Sequence, residues 1–413
     1  MSKVSAIICV YNTEINLFRN SLLSLTNSSL KDIEIIVVND GSTINYDNIK
    51  YEFPNIKWIE TENKGTLSAR ITGIENATSP FVYFIDSDDE LSFFYLEALL
   101  KRQEQTQADI VLGDWAFHTE NARYYCGNDS TISTDFLVNG KYCLKKYFEK
   151  SGLEHSMYVL WNKLFNRELF LKACKKIKKI HDINSSKIVF GEDVLITYFA
   201  FSMAKCVTNI HFGYYFYKIH NAQQTSIYSK NTIINQIKNM SIVFKYMTHD
   251  LKDTNRINEF SKNISEWKKL LSSSHYETCK NSNYTDLFDF IKESFSQEKL
   301  YKLPYKAHKV YGNHKLLPSN LTEIENSLRK IYFNDFSKIY SPNQSYSFIQ
   351  ISNMKEIFNK KFELTIKKDA DIILSKDNIS FKLKLIHNDF CYKIGVKLFP
   401  KGSKLRKFLK SKL

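Results

Sequence analysis

Phe81-Val82-Tyr83-Phe84-Ile85-Asp86-Ser87-Asp88-Asp89-Glu90 decides how the rest of this chain is read. An apolar run stops abruptly in four carboxylates within five residues. Crowded carboxylates repel one another, so the cluster is costly unless solvent or a cation compensates it. A hard divalent cation would do so, and such an ion commonly partners a substrate phosphate. A solvated acidic turn is the plain alternative. The neighbouring sequence chooses between them.

Two further apolar runs rich in β-branched residues precede it, Val4–Val10 and Ile33–Val38. All three are short and nearly continuous, and amphipathic stretches separate them, Ile15–Leu25 and Leu67–Ala77. That is the pattern of parallel strands buried on both faces with helices between them. Ile56–Ile59 and Ile110–Leu112 read as two more strands of the same sheet. The expected class is α/β with a mainly parallel, Rossmann-like sheet. The first strand ends in Tyr11-Asn12-Thr13-Glu14, the second in Asn39-Asp40-Gly41-Ser42, and the third in the acidic run. In an open parallel sheet such ends share one edge, where ligands bind. Gly41 and Gly65 supply tight turns, and Lys64 and Arg70 are cations able to face a diphosphate. Neither a P-loop nor a GxGxxG fingerprint is present.

Composition narrows the class. The chain has 413 residues and a formal net charge of +14. Residues 1–225 hold 24 Lys and Arg against 26 Asp and Glu, whereas residues 226–413 hold 34 against 18. The basic balance therefore belongs to the second half. The seven cysteines are scattered, without CxxC or finger spacing, which fits buried thiols in a reducing compartment. No apolar run approaches the roughly 18 residues of a membrane span, and the first residues lack a signal-peptide core. A cytoplasmic protein is expected.

The motifs Val38-Asn39-Asp40-Gly41-Ser42, Asn63-Lys64-Gly65 with Ala69-Arg70, and Phe84-Ile85-Asp86-Ser87-Asp88-Asp89 resemble the family 2 glycosyltransferases, inverting GT-A enzymes of bacterial surface-polysaccharide type. Order and spacing match over about the first 220 residues. One departure is Ile71, where the family often has Asn after the Ala-Arg pair. The resemblance implies a GT-A catalytic domain over 1–225; the pattern of the second half reads as a helical region over 226–310 and a mixed region over 311–413 that ends in a basic amphipathic tail. It implies that Tyr11, Asn12, Glu14, Asp40, Lys64, Arg70, Asp86 and Ser87 bind the nucleotide. Asp88 is then the primary metal ligand, joined by Asp86 and His220, with Mn²⁺ or Mg²⁺ as cofactor. Asp40 also reads as a turn former, Glu14 as a helix-start acid, and His220 as an ordinary surface histidine. Asp89 and Glu90 read as helix-start acids without required chemistry.

Downstream, Ala116 to Asp135 reads as a loop or hairpin over the site. Trp161-Asn162-Lys163-Leu164-Phe165-Asn166-Arg167 opens a helical stretch, and the resemblance puts Trp161 and Lys163 by the acceptor and sugar pocket. Core packing is the equal alternative for Trp161. Phe190-Gly191-Glu192-Asp193-Val194 begins another helix. Acids there are good capping chemistry, but this unit sits where the family carries its general base. Asp193 is the expected base and Glu192 the acceptor or donor-sugar contact, with the reverse also open. Tyr214-Tyr215-Phe216-Tyr217-Lys218-Ile219-His220, followed by Thr225-Ser226, resembles the family's tyrosine-rich strand.

In the second half, apolar residues at 233, 237, 240, 244, 247 and 251, then at 257, 260, 264, 267 and 271, mark two amphipathic helices. Leu316–Tyr346 mixes helical and loop signals, and alternation near 362–366 and 379–385 indicates a small β element. Lys393 to Leu413 carries eight Lys and Arg and no acid. Leu405, Phe408, Leu409 and Leu413 fall on one helical face, the pattern of a helix lying on an anionic membrane surface; a solvated tail is the alternative. No nucleic-acid motif accompanies the charge. The expected function is metal-dependent transfer of a hexosyl or N-acetylhexosaminyl group from a nucleotide sugar, UDP by the resemblance, to a glycan or lipid-linked acceptor at the inner membrane face. The rivals are a non-catalytic sugar-nucleotide or glycan-binding subunit of an assembly complex, and a nucleotidyltransferase.

Overall fold

The computed structural model describes residues 2–118, 123–125, 136–149, 155–182, 187–220, 229–300 and 315–316, with isolated positions at 322 and 326. The regions read above at 119–122, 126–135 and 221–228 lie outside the described residues. So do nearly all of Leu316–Tyr346, the alternating stretches of 362–385, and the basic terminus 393–413.

The elements run β1 (Val4–Val10), α1 (Ile15–Thr26), β2 (Glu34–Asp40), α2 (Asp47–Glu52), β3 (Lys57–Thr61), α3 (Thr66–Glu75), β4 (Phe81–Asp86) and β5 (Glu90–Leu91). Next come α4 (Tyr95–Thr106), β6 (Ile110–Leu112), β7 (Trp115–His118), β8 (Arg123–Tyr125), β9 (Leu137–Asn139), α5 (Lys141–Tyr147) and α6 (His155–Tyr158). Then follow β10 (Lys163–Asn166), α7 (Arg167–Ile180), α8 (Glu192–Met203), β11 (Cys206–Asn209), β12 (Tyr215–Lys218), α9 (Lys230–Asp253), α10 (Ile257–Asn281), α11 (Phe288–Phe295) and β13 (Lys315–Leu316). Eight strands form the main sheet in the order β3-β2-β1-β4-β10-β6-β11-β9. The first four are mutually parallel, so their carboxyl ends share one edge. A second sheet, β13-β8-β7-β12-β5, carries the antiparallel pair β7 and β8 and the tyrosine-rich strand.

Period-two burial explains the strands. In β1, Ile7 enters one hydrophobic cluster while Ala6 and Ile8 enter the other. In β4, Val82 and Phe84 face the first cluster, Tyr83 and Ile85 the second. Both faces are therefore covered, as continuous apolar runs require. Helices α1 and α4 cover one face; α3, α7 and α8 cover the other. Gly73 of α3 lies so close to β1 that a Cβ there would strike Ile7 Cγ2.

Residues 163–166 depart from expectation. They form an antiparallel strand between β4 and β6, and the helix starts only at Arg167, where Asn166 Oδ1 accepts from Leu169 N at 3.1 Å. The capping Asn ends the strand and begins the helix within one residue. Helices α9 to α11 enter the first cluster through Ile233, Met240, Phe244, Phe260, Trp267 and Phe295. Each buried side chain of that size contributes roughly 1.5–3 kcal/mol. No helix among the described residues is long and apolar enough to cross a membrane.

Candidate active site

The ends of β1 and β2 are tied together first. Asn12 adopts the left-handed region (φ 53°), which suits a short amide side chain. Its Oδ1 accepts from Thr43 N at 2.7 Å and Thr43 Oγ1 at 3.0 Å, while its own N–H donates to Ser42 Oγ at 3.0 Å. Tyr11 beside it presents an exposed ring. Glu14 caps α1, accepting from Asn16 N and Leu17 N at 3.0 Å each. The Asn16 bond above all holds its carboxyl below the ordinary range. Asp40 is buried, and its two oxygens accept from Lys64 N at 2.8 Å and Gly65 N at 2.9 Å. The carboxylate thus fixes the loop that carries Lys64, whose side chain is exposed. Gly41 (φ 72°) has no room for a Cβ, which would lie 2.6 Å from Asn63 N.

Arg70 joins two parts of the sequence that pattern alone keeps apart. Its buried guanidinium donates through Nη1 to Glu192 Oε1 at 2.8 Å and through Nη2 to Asp86 Oδ1 at 3.2 Å. Nη1 also pairs with Asp193 Oδ1. Burial alone would lower the Arg70 pKa, but Glu192 and Asp86 outweigh it and hold the group above its ordinary value. Asp86 is pushed up to about 6, by desolvation first, against the pull of Arg70 and with Asp88 and Glu192 adding to the rise. Its side chain keeps 37% exposure, so water relieves part of that desolvation. Burial pushes the thiol of Cys9, which lies beside Asp86 in β1, up to about 12, so it stays protonated at neutral pH. Gly191 enters α8 with φ 80°, aiming Glu192 and Asp193 back at the strand ends. Val189 N donates to Asn239 Oδ1 of α9 at 3.0 Å, so the helices after residue 230 help hold this approach.

Asp88 and His220 meet across the cleft, Oδ2 to Nε2 at 2.8 Å. Ser87 bonds Thr13 side chain to side chain at 2.6 Å. Asp89 and Glu90 are not helix-start acids: α4 begins at Tyr95, and Glu90 opens β5, paired with Phe216. Asp89 is buried and accepts from Tyr215 OH at 2.5 Å and Lys218 N at 2.7 Å. Desolvation, with Asp88 and Asp86 adding, pushes its carboxyl well above the usual range. Glu90 accepts from Lys218 Nζ at 3.0 Å.

Trp161 and Lys163 face inward, which corrects their placement beside an acceptor. Trp161 is 3% exposed and stacks on Tyr215, centroids 4.3 Å apart at 16°. Lys163 is fully buried, donating to Ser156 O at 2.6 Å, Val159 O at 2.5 Å and Asn162 Oδ1 at 2.7 Å. A buried ammonium needs such a ring of acceptors, and here they come from α6 and the turn between it and β10. Ile71, the departure noted above, is packed in the core.

Among the described residues no group of three or more His, Cys, Asp or Glu side chains converges on one point. Asp88 and His220 do offer a carboxylate oxygen and an imidazole nitrogen side by side. Two protein donors suit an ion whose remaining positions are filled by substrate phosphate and water, and a mixed oxygen and nitrogen set suits Mn²⁺.

Sequence reasoning missed Tyr215, Asn239 and Thr13 as parts of this assembly. It also missed the pair formed by His211 and Asp114, Nδ1 to Oδ2 at 3.1 Å, beside the β6 and β11 ends. None of these partners is close to the other in sequence, so no local spacing announces them.

Residues 5–172 match the family model described as Glycosyl transferase family 2. Glycosyltransferase GlyA of Streptococcus pneumoniae is 30% identical over 243 residues, covering 55% of this chain and 32% of that protein. The putative glycosyltransferase EpsH of Bacillus subtilis is 26% identical over 312 residues, covering 71% of this chain and 86% of that protein. The GalNAc(5)-diNAcBac-PP-undecaprenol beta-1,3-glucosyltransferase of Campylobacter jejuni is 29% identical over 184 residues, covering 41% and 57%. The chain thus spans 32% of the length of the GlyA relative and most of the length of EpsH.

Proposed function

We propose that this chain is a glycosyltransferase of family 2, as its match to that family model and its likeness to glycosyltransferase relatives support, and that it works as a metal-dependent inverting enzyme. It takes the sugar of a UDP donor and passes it to a hydroxyl of a glycan or lipid-linked acceptor in surface-polysaccharide synthesis. The observation that carries this reading is the Arg70 bridge from Asp86 to Glu192 and Asp193. It puts the acidic strand end and the candidate base in one cleft.

The residues divide the work as follows. The strand-end turn at Tyr11 and Asn12, the Asp40-fixed loop with Lys64, and Asp86 with Ser87 bind the nucleotide. Asp88 and His220 would hold Mn²⁺ or Mg²⁺, which when bound supplies positive charge against the diphosphate. Asp193 accepts the proton of the acceptor hydroxyl as its oxygen attacks the anomeric carbon from the face opposite the diphosphate. The new C–O bond forms as the bond to the diphosphate breaks, and the electron pair leaves on UDP. Configuration inverts. Glu192 contacts the sugar, and Arg70 keeps both carboxylates aimed into the cleft. The acceptor of the Campylobacter relative, named as PP-undecaprenol-linked, supports a lipid-linked acceptor here. The eight basic residues from Lys393 onward support a cytoplasmic enzyme resting on the inner membrane face.

Two substitutions separate the roles. Asp88→Asn should abolish Mn²⁺-dependent UDP binding in calorimetry. Asp193→Asn should keep that binding and lose transfer by about 10²-fold or more, the scale of a general base. Transfer at the parent rate by Asp193→Asn would sink the base assignment. Release of pyrophosphate from a nucleoside triphosphate and a sugar phosphate would point to nucleotidyl transfer instead.

A further inference from the structure

We infer that Asp89, working through Tyr215, is a positioning residue that sets the distance and orientation of Asp88 against His220; this rests on the metal reading above. Asp89 is 1% exposed, and among the described residues no cation pairs with it. A buried carboxylate is costly, so its bonds are the reason it is tolerated. Both go to β12. Oδ2 accepts from the Tyr215 hydroxyl at 2.5 Å, and Oδ1 accepts from the Lys218 N–H at 2.7 Å.

Those two bonds control both members of the pair. The turn that displays Asp88 runs from Asp86 to Asp89, closed by Asp89 N donating to Asp86 O at 3.2 Å. Tyr215 grips both ends of it, because its hydroxyl oxygen also accepts from Asp86 N at 3.3 Å. On the other side, Lys218 stands two residues before His220. The ladder between β12 and β5 pairs only Tyr215 with Leu91 and Phe216 with Glu90. Beyond Phe216, the Asp89 bond to Lys218 N takes over on that edge. The Tyr215 ring is itself locked by stacking on Trp161. A turn and a strand more than a hundred residues apart thus share one brace, and the candidate metal donors sit at its two tips.

The test compares Tyr215→Phe, Asp89→Asn and Asp89→Ala with the parent by calorimetry of UDP binding in Mn²⁺ and in EDTA, and by the Mn²⁺ concentration at half-maximal transfer. Tyr215→Phe keeps the stacked ring and loses only the hydroxyl. It should need about tenfold more Mn²⁺ and bind UDP about tenfold more weakly in Mn²⁺, with UDP binding in EDTA unchanged. Asp89→Asn retains an acceptor for Lys218 N and should fall between the parent and Asp89→Ala. Tyr198→Phe removes a buried hydroxyl that bonds Asp250 at 2.6 Å and serves as the stability control, with parent Mn²⁺ dependence. If Asp89→Ala does not fold, the Phe and Asn variants still decide. Parent Mn²⁺ dependence in both of them, or an equal shift in Tyr198→Phe, overturns the brace alone. A parent protein indifferent to divalent ions overturns the metal reading together with the brace.

Discussion

Arg70→Met isolates what the buried guanidinium does, because the methionine stem fills similar space and carries no charge. The substitution removes the bonds to Glu192 (2.8 Å) and Asp86 (3.2 Å) and the pairing with Asp193. Taking one partner from a buried ion pair typically costs 3–5 kcal/mol, since the other charge stays behind. The lower end applies here. Glu192 is 10% exposed, but Asp193 is 20% and Asp86 37%, so water can replace the guanidinium at those two. The expected loss is about 3 kcal/mol at pH 7.5. Its pH dependence has a definite sign. Asp86 already stands at about 6 in the folded protein against an ordinary 3.8, and losing Arg70 raises it further. A carboxyl raised in the folded state supports stability below its unfolded value and loses that support as pH climbs through the folded value. The deficit of Arg70→Met relative to the parent should therefore shrink toward about 1 kcal/mol at pH 4.5 and grow as pH passes 6. Urea unfolding of both proteins at pH 4.5 and 7.5 measures it. An equal deficit at the two pH values would refute the reasoning, as would a deficit below about 1 kcal/mol at pH 7.5.

Lys163→Met should cost about 3 kcal/mol by stranding three buried acceptors while leaving the acceptor KM unchanged; a raised KM in a folded variant would return Lys163 to the sugar pocket. Gly191→Ala places a side chain at φ 80°, facing Met240 Sδ. It should destabilise by about 1–2 kcal/mol and slow transfer more than it weakens UDP binding; parent kcat would show that α8 needs no such entry. Deleting residues 393–413 should reduce cosedimentation with anionic vesicles and preserve transfer to a soluble acceptor. Unchanged vesicle binding would remove the membrane role.

Much of the fold was legible because the signals are local. Val4–Val10 and Ile110–Leu112 match their strands end to end, and β4 gains only Asp86 beyond the apolar run. The strand at Lys163–Asn166 was hidden. Four residues show no resolvable period, and the helix that follows them masks the boundary. The site was legible as a set of strand-end polar groups, but the partners of its side chains were not. Lys163 reads as a ligand cation until the acceptors that surround it are in place. Asp89 and Glu90 read as helix-start acids because β12, which they bind, lies more than a hundred residues away.

By itself, then, the sequence determined the parallel sheet, the edge on which it gathers polar groups, and the acidic turn at Asp86-Ser87-Asp88. Period-two burial and apolar runs act between neighbours in the chain, so they survive in one dimension. Only the tertiary structure decided which charges answer one another: Arg70 with Asp86, Glu192 and Asp193, His220 with Asp88, and Tyr215 with Asp89. A charge is compensated by whatever lies within a few ångströms, and across this cleft most of those neighbours are more than a hundred residues apart in the chain.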